Sequence, residues 1–281
     1  MQTYIKHIGL FLCLVFASCE DVIDVKVSEG KTRLVIEASL DWERGTYGNE
    51  QFIKLSKSSP YFQTNGNNAV TGASVKVTNN NTGAEFIFTD ENDGTYTISN
   101  FVPIVSHEYT LEIVYDGETY IGKETLTAGV PISSITQSVE GGFDKELLEV
   151  NITFNDPADE ENFYLIKYIE EGDLFPVLRD MSDAFVNGNV IDMSWEKEDD
   201  EDKNEKPFEV GDKVTISLYS ISKRYYNYIR MLIEQYDSGG SPFSSTAAQL
   251  KGNCVNTTNP ENYPYGYFRL TQVEKADYIF Q

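Results

Sequence analysis

Residues 109–126 read YTLEIVYDGETYIGKETL. Apolar and polar side chains alternate on both sides of Asp116-Gly117, as they do in a strand that buries one face and exposes the other. An Asp-Gly pair between two such runs is favoured in a tight two-residue β-turn. The segment therefore predicts a β-hairpin whose inward side chains belong to a core.

Further alternating runs precede this hairpin. They are carried by Leu34, Ile36, Ala38 and Leu40; by Ile53 and Leu55; by Ala73, Val75 and Val77; by Phe86 and Phe88; and by Tyr96 and Ile98. Turn-forming residues such as Asn79–Gly83 and Asp93-Gly94 separate the runs, and no helical pattern lies between them. About seven short antiparallel strands at this spacing are typical of an immunoglobulin-like β-sandwich. We predict that sandwich for residues 32–128.

Gly129 and Pro131 interrupt the strand pattern, so we predict a boundary there and a second domain over residues 129–281. This domain is predicted to be rich in β-structure, which makes the whole protein mainly β. Its predicted strands are Leu148 to Phe154, Tyr164 to Tyr168, Val214 to Leu218, and Tyr267 to Leu270.

One substantial α-helix is predicted in the second domain, at about residues 222–237. Ser222 is the candidate N-cap residue. Spacings of four, three and four residues place four side chains on one helix face, namely Tyr225, Ile229, Leu232 and Tyr236. We expect Tyr225 to be buried between this helix and a sheet, together with Phe268.

The first residues are typical of an export signal. An apolar run from Ile8 to Phe16 is followed by Ala17 and Ser18, and then by Cys19. This run is too short to cross a bilayer, which needs about 20 apolar residues. An ordinary secretory signal would end in an A-x-A-like site, whereas here the small residues precede a cysteine that can accept lipid. We predict a lipoprotein signal peptide over residues 1–18, lipidation of Cys19, and an acidic tether over residues 19–31.

The composition and charge of the chain argue against nucleic-acid partners and against a structural disulfide. The chain carries 45 acidic and 22 basic residues, a formal net charge of −23. Nucleic acids are therefore not expected as partners, because phosphate binding needs clustered Lys and Arg. Of the three cysteines, Cys13 leaves with the signal and Cys19 takes the lipid. Cys254 then stands alone, so no disulfide within the mature chain is expected.

Catalytic motifs are scarce. His107, at the start of a predicted strand, is the one histidine that remains after signal cleavage, and no Gly-x-Ser-x-Gly sequence exists for it to serve. Zinc sites with three protein ligands need more His and Cys than this chain has. We predict no catalytic residue, metal site or cofactor. Paired carboxylates, as in glycoside hydrolases, stay open as an alternative because the chain is rich in acids.

Several acidic segments resemble calcium loops only superficially. Residues Asp90–Gly94 lack the spacing of an EF-hand loop, and Asp93-Gly94 is better explained as a hairpin turn. The segments Asp156–Asn162 and Glu196–Asp202 have enough oxygen ligands for calcium, but we expect solvated turns there. The wider segment Trp195–Pro207 is predicted to be a solvated loop because its carboxylates repel one another.

Tyrosines near the end of the chain are candidates for partner binding. Tyr263 and Tyr265 precede the last predicted strand, and the sequence does not decide whether they are exposed. Exposed tyrosines frequently form the energetic centre of protein interfaces. We therefore select Tyr263 and Tyr265 as candidate partner-binding residues.

Several short segments, in their order along the chain, resemble one protein family. They are Cys19–Ile23, Leu34–Glu37, Val70–Val75, Asp93–Tyr96, Leu218–Ser222, Tyr225–Tyr228, Pro242-Phe243, Asn253 and Gly266–Phe268. The mature chain resembles a group of uncharacterised outer-membrane lipoproteins of Bacteroidota, described as a domain of unknown function and typically encoded beside TonB-dependent receptors.

This resemblance implies a function at the cell surface. It implies a lipid-anchored, non-enzymatic accessory or ligand-binding component that associates with a TonB-dependent receptor in the outer membrane. Glu20, Asp21 and Asp24 resemble the signal that sends such lipoproteins to the outer face. Two alternatives remain at this stage, a surface carbohydrate-active enzyme and an adhesive or structural surface protein.

Overall fold

The computed structural model describes residues 30–59, 68–142, 144–158, 160–199, 205–237 and 250–281. Cys19 and the predicted export-signal residues Glu20, Asp21 and Asp24 lie outside the described residues. Residues Thr32–Gln281 group into one compact unit, separate from residues 1–31. Within the described part, no helix has the length and apolar character needed to cross a membrane.

The described residues form fifteen strands and one helix. The strands of the first half are β1 (Leu34–Glu43), β2 (Gln51–Lys57), β3 (Ser74–Asn79), β4 (Glu85–Asp90), β5 (Thr95–Ile98), β6 (Glu108–Tyr115) and β7 (Glu118–Thr125). The second half contains β8 (Ile132–Ser138), β9 (Glu149–Asn155), β10 (Phe163–Glu170), β11 (Val177–Ser182), β12 (Val190–Glu196), β13 (Lys213–Ser220), α1 (Lys223–Asp237), β14 (Cys254–Asn256) and β15 (Tyr265–Ile279).

The first half is a β-sandwich, which confirms the predicted immunoglobulin-like fold. Its strands follow the order β15-β1-β2-β5-β4-β3-β6-β7-β14, and the sheet closes around one core. The predicted alternation is present in detail, since Leu34, Ile36, Ala38 and Leu40 are buried while Glu37 and Ser39 between them are exposed. Burial of every second side chain is therefore what aligns these strands.

The β6–β7 hairpin has the predicted tight turn. Tyr115 pairs with Glu118, which leaves only Asp116 and Gly117 in the loop. Both loop residues have positive φ, 51° and 76°. This is the conformation of a type I′ turn, whose twist matches that of the two strands it joins.

The second half forms another sandwich around a core of its own. The sheet β11-β10-β13-β15 faces the three-stranded sheet β12-β9-β8. Aromatic rings dominate the contact: Trp195 lies 5.0 Å from Tyr168 and 4.8 Å from Phe208, and Phe208 stacks on Phe280 at 4.6 Å between centroids. Strands β8, β11 and β14 were not predicted because their sequences alternate weakly, and β12 was not predicted although its apolar and polar residues alternate.

Strand β15 is longer than predicted. A short strand over Tyr267 to Leu270 was expected, but β15 covers fifteen residues. Its first part runs parallel to β1, and its second part pairs antiparallel with β13. The second part of β15 was not predicted because its many polar residues interrupt the alternation of apolar side chains. Gly266 permits the close contact with β1, because its φ is +88° and any Cβ there would meet the backbone of Ile36.

Strands β14 and β15 also determine how the two halves relate. Cys254, Phe268 and Leu270 lie in the first core although they follow the predicted boundary at residue 129. Cys254 is buried and has a free thiol, and burial raises the pKa of that thiol to about 12. The division into two separate domains stays a prediction.

The helix confirms the predicted position and N-cap. The Tyr225 amide donates to Ser222 Oγ at 3.2 Å, so Ser222 is the N-cap residue. Tyr225 and Phe268 are buried, as expected. Ile229 is also buried, whereas Leu232 is 41 % exposed and Tyr236 is 80 % exposed, so the face that these side chains share turns toward solvent at its C-terminal end.

The acidic segment Trp195–Pro207 is not entirely a solvated loop. Trp195 belongs to β12 and is buried, and Lys197 is buried with its Nζ 2.5 Å from a carboxylate oxygen of Glu170. Residues 200–204 lie outside the described part. The prediction was wrong at the edge of the segment because an ion pair offsets the charge there.

Candidate partner-binding site

Tyr263 and Tyr265 are half-buried at the start of β15. Their rings meet edge to face, with centroids 5.9 Å apart and planes at 83°. The pair is held in place because Tyr265 is in register with Val35 of β1. Two aromatic rings with restricted positions and a partly exposed surface are suited to contact another molecule at a low entropic cost.

Two cations lie on the ring of Tyr263. Arg33 Cζ is 3.6 Å from its centroid, and Lys251 Nζ is 4.0 Å from it. The Arg33 guanidinium also donates to the carbonyl oxygens of Glu261 and Tyr263 at 3.0 and 3.1 Å. Cation–π contacts of this kind contribute about 0.5–1 kcal/mol at exposed positions. We call Arg33, Lys251, Tyr263 and Tyr265 the tyrosine–cation cluster.

Sequence reasoning missed Arg33 and Lys251. Arg33 lies immediately before β1 and reaches Tyr263 because β1 and β15 run side by side in parallel. Local sequence patterns contain no signal for a pairing between segments more than 200 residues apart. The tyrosines alone were recognisable, because they stand out as residue types.

A partly buried polar network anchors the loop that leads to Tyr263. Glu118 accepts hydrogen bonds from Tyr120 Oη at 2.7 Å and from the side-chain amides of Asn256, Asn259 and Asn262 at 2.9, 3.0 and 2.6 Å. These donors, the Tyr120 hydroxyl first, hold the pKa of Glu118 below its usual value. The loop is thus fixed to β7 through a carboxylate that stays ionised at neutral pH.

His107 makes a local contact with Asn79 at the turn after β3. It precedes β6, and its Nδ1 lies 3.0 Å from Nδ2 of Asn79. Asn79 is buried at the end of β3, and its Oδ1 also accepts the backbone amide of Asn81. This arrangement stabilises the turn after β3.

The segment Asp90–Gly94, which resembles a calcium loop only superficially, forms the expected hairpin turn. Asp90 accepts the amide of Asn92 at 2.8 Å, and Asp93 accepts the amide of Thr95 at 2.8 Å. The Thr95 amide lowers the pKa of Asp93. Across the described ranges, no group of three His, Cys, Asp or Glu residues gathers at a distance suited to a metal ion.

One pair of carboxylates does come together. Glu149 and Glu196 are cross-strand partners on β9 and β12, and an oxygen of each lies within 2.7 Å of the point where a Cβ on Gly142 would stand. Glu149 is fully buried, and its Oε1 accepts the amides of Glu140 and Gly141 at 3.1 and 2.5 Å. Burial acts to raise the pKa of Glu149, but hydrogen bonds from the Ser138 hydroxyl first and the Gly141 amide next leave this pKa below its ordinary value. The buried Glu149 carboxylate thus secures the loop at Glu140 and Gly141.

Sequence comparison identifies a family for most of this chain. The model of a domain of unknown function, DUF4249, matches residues 20–277. No curated protein matches the sequence.

Solved structures resemble the chain only distantly. A DUF4785 family protein from Legionella pneumophila is 11 % identical over 69 % of this chain, which spans 54 % of that protein, with a TM-score of 0.26. A cytokine receptor complex is 9 % identical over 70 % of this chain and 86 % of its own, with a TM-score of 0.27. A segment of two fibronectin type-III domains from chicken tenascin is 10 % identical over 61 % of this chain and 85 % of its own, with a TM-score of 0.21.

Proposed function

This chain belongs to the DUF4249 family, and from that premise we propose that it is a lipid-anchored lipoprotein on the outer face of a bacterial outer membrane. In this proposal it docks onto a TonB-dependent receptor as a non-enzymatic accessory component. The lipid is carried by Cys19, and the partner surface is the tyrosine–cation cluster.

The tyrosine–cation cluster is the observation that carries this proposal. Its two rings are partly exposed, yet both are positioned by the parallel β1–β15 pairing and by the cations on Tyr263. Tyr and Arg are the residue types that most frequently dominate binding energy at protein interfaces. Arg33 and Lys251 also concentrate positive charge in a chain whose net charge is −23. An acidic or aromatic surface of the receptor would complement them.

The place of the cluster along the chain fits a partner that lies in the membrane. Arg33 is the second residue after the proposed tether, residues 19–31. A segment of that length extends at most roughly 45 Å. A cluster at the end of such a tether stays within reach of a neighbouring outer-membrane protein.

Alanine substitutions test this docking surface. Tyr263→Ala and Tyr265→Ala should each reduce co-purification of the receptor from detergent-solubilised outer membranes. The free energy of unfolding should change by only about 1 kcal/mol, because both rings are partly exposed. Tyr47→Ala is the matched control, since Tyr47 is 90 % exposed on the β1–β2 connection, away from the cluster. That variant should retain the receptor fully.

Two results would contradict the proposal. One is undiminished receptor recovery with both cluster variants at wild-type stability. The other is turnover of a glycan by the purified protein, which would favour the carbohydrate-active alternative instead.

A further inference from the structure

Three oxygen-bearing side chains meet at one end of the second sandwich. Asp156 follows β9 in one sheet, and Asn162 and Asp183 flank β10 and β11 in the facing sheet. Asp156 continues the inward alternation of Phe154, and Asn162 continues that of Tyr164, so all three point toward the space between the sheets. From the sequence, Asp156–Asn162 was expected to be a solvated turn. That expectation was wrong for Asp156, which is 6 % exposed.

Asp183 and Asn162 are joined, yet each keeps an unused oxygen. The Asn162 amide donates to Asp183 Oδ2 at 2.8 Å, and the Asp183 amide donates to the Asn162 carbonyl at 3.1 Å. Asp183 is 1 % exposed, and its Oδ1 accepts no hydrogen bond from the described residues. The side-chain Oδ1 of Asn162 is likewise buried and without a donor among them. Such buried acceptors cost about 1–3 kcal/mol each when nothing compensates them.

Asp156 adds a second buried carboxylate at the same end. Its Oδ1 accepts the Tyr164 hydroxyl, and its Oδ2 accepts the Gly188 amide at 2.8 Å. Neither Asp156 nor Asp183 has a salt bridge within the described part of the chain. Burial raises the pKa of the Tyr164 hydroxyl, and the charges of Asp156 and Asp183 raise it further. Two buried carboxyl groups therefore lie at the same end of the sandwich, and neither has a basic partner within the described part of the chain.

We propose that this end of the sandwich binds a calcium ion through Asp183 Oδ1 and Asn162 Oδ1, with the Asp156 carboxylate supplying further negative charge. Calcium prefers hard oxygen ligands, accepts carboxylate and amide oxygens together, and completes its shell with water. No third acidic side chain converges there at metal distance among the described residues. We therefore expect the weak affinity of extracellular calcium modules, a Kd of about 10⁻⁴–10⁻³ M.

Calorimetric titration of the purified full chain with CaCl₂ tests the site, together with thermal unfolding in 5 mM CaCl₂ and in EDTA. Wild-type protein should bind one ion at this site, and calcium should raise its Tm by roughly 2 to 8 °C. Asp183→Asn should abolish both effects. This variant should still fold, because its carboxamide can accept the Asn162 amide and donate to Asn162 Oδ1. The matched control is Asp192→Asn, which removes an exposed carboxylate that contacts Thr153 on β9 and should leave the calcium response intact.

Two outcomes would overturn the proposal. If calcium neither binds nor raises the Tm of the wild type, the Asn162 amide is instead rotated to donate to Asp183, and the site is closed. If Asp183→Asn responds to calcium as the wild type does, the ion binds another acidic segment. Both outcomes are independent of receptor docking, so neither affects the proposed function.

Discussion

The two sandwiches bury their interiors with different chemistry. Around β6 and β7 the core consists of alternating side chains from strands that are neighbours in the sequence, with Leu111 and Ile113 fully buried. The second core depends on a row of aromatic rings in which Trp195 bridges Tyr168 and Phe208. Those three rings come from β10, from β12 and from the segment between β12 and β13. The first core is thus filled by alternating side chains along the strands, and the second is organised around contacts between aromatic rings.

The second sandwich also buries several ionisable side chains. Glu149, Asp156, Asp183 and Lys197 are all buried there. Each of these groups forms hydrogen bonds or an ion pair, as a buried charge must. Packing of apolar side chains positions the first half, whereas polar contacts fix the loops of the second half.

The largest loss of stability is expected from substitutions in the two cores, and these substitutions also test whether the cores unfold together. Trp195→Ala removes the central ring of the second core, and Phe101→Ala removes a ring from the first. Each should lower the free energy of unfolding by about 3–5 kcal/mol. Because β15 belongs to both sandwiches, we expect each variant to unfold in urea in a single transition. Far-UV circular dichroism measures this unfolding. A second transition that appears only with Trp195→Ala would show that the halves unfold independently.

A smaller effect concerns a hydrogen-bonded contact between the halves. Glu124 on β7 accepts hydrogen bonds from Tyr267 Oη and from Ser222 Oγ, the N-cap of α1, each at 3.1 Å. Burial raises the pKa of Glu124 above its ordinary value of 4.5. The stability linked to this group is thus fully present below pH 4.5 and is lost as pH rises through the folded-state pKa.

Glu124→Gln should remove that pH dependence, because glutamine stays neutral and can still accept both hydrogen bonds. Relative to wild type, the variant should gain stability between pH 4 and pH 7 by up to about 1 kcal/mol. Urea unfolding at a series of pH values measures the difference. Parallel curves for the two proteins would mean that Glu124 does not titrate in this range.

The smallest effect is expected at the exposed end of α1. Tyr236→Ser should change the free energy of unfolding by no more than about 0.5 kcal/mol, because this side chain is 80 % exposed. Tyr226→Ser on the buried side should cost several times more, since its ring packs 4.9 Å from that of Phe163. Thermal unfolding of both variants distinguishes the two helix ends. Equal losses would indicate that the whole helix is docked.

The first half could be predicted from the sequence because its strands pair with near neighbours across tight turns. Hairpin β6–β7 is the clearest case, with alternation and an Asp-Gly turn in one short segment. The second half was only partly predictable. Strand β12 was hidden because Trp195 adjoins a run of acids, and the burial of Lys197 depends on Glu170 of another strand.

The candidate site was recognisable only in part for the same reason. Tyr263 and Tyr265 attracted attention by residue type alone. Arg33 joins them through a parallel pairing that connects the two ends of the compact unit. In the oxygen cluster, Asp156 and Asn162 lie in a segment whose oxygen ligands were noted from the sequence, but Asp183 was not recognisable because it follows a different strand, β11.

The parallel contact of β15 with β1 has a consequence for the time at which the protein can fold. Of the described strands, β15 is synthesised last, and it covers the edge of the strand that is synthesised first. Until β15 arrives, β1 has an unpaired edge that can bind other chains. Contacts between such distant segments also make folding slow. Neither sandwich can therefore be complete before β15, which belongs to both, has been synthesised.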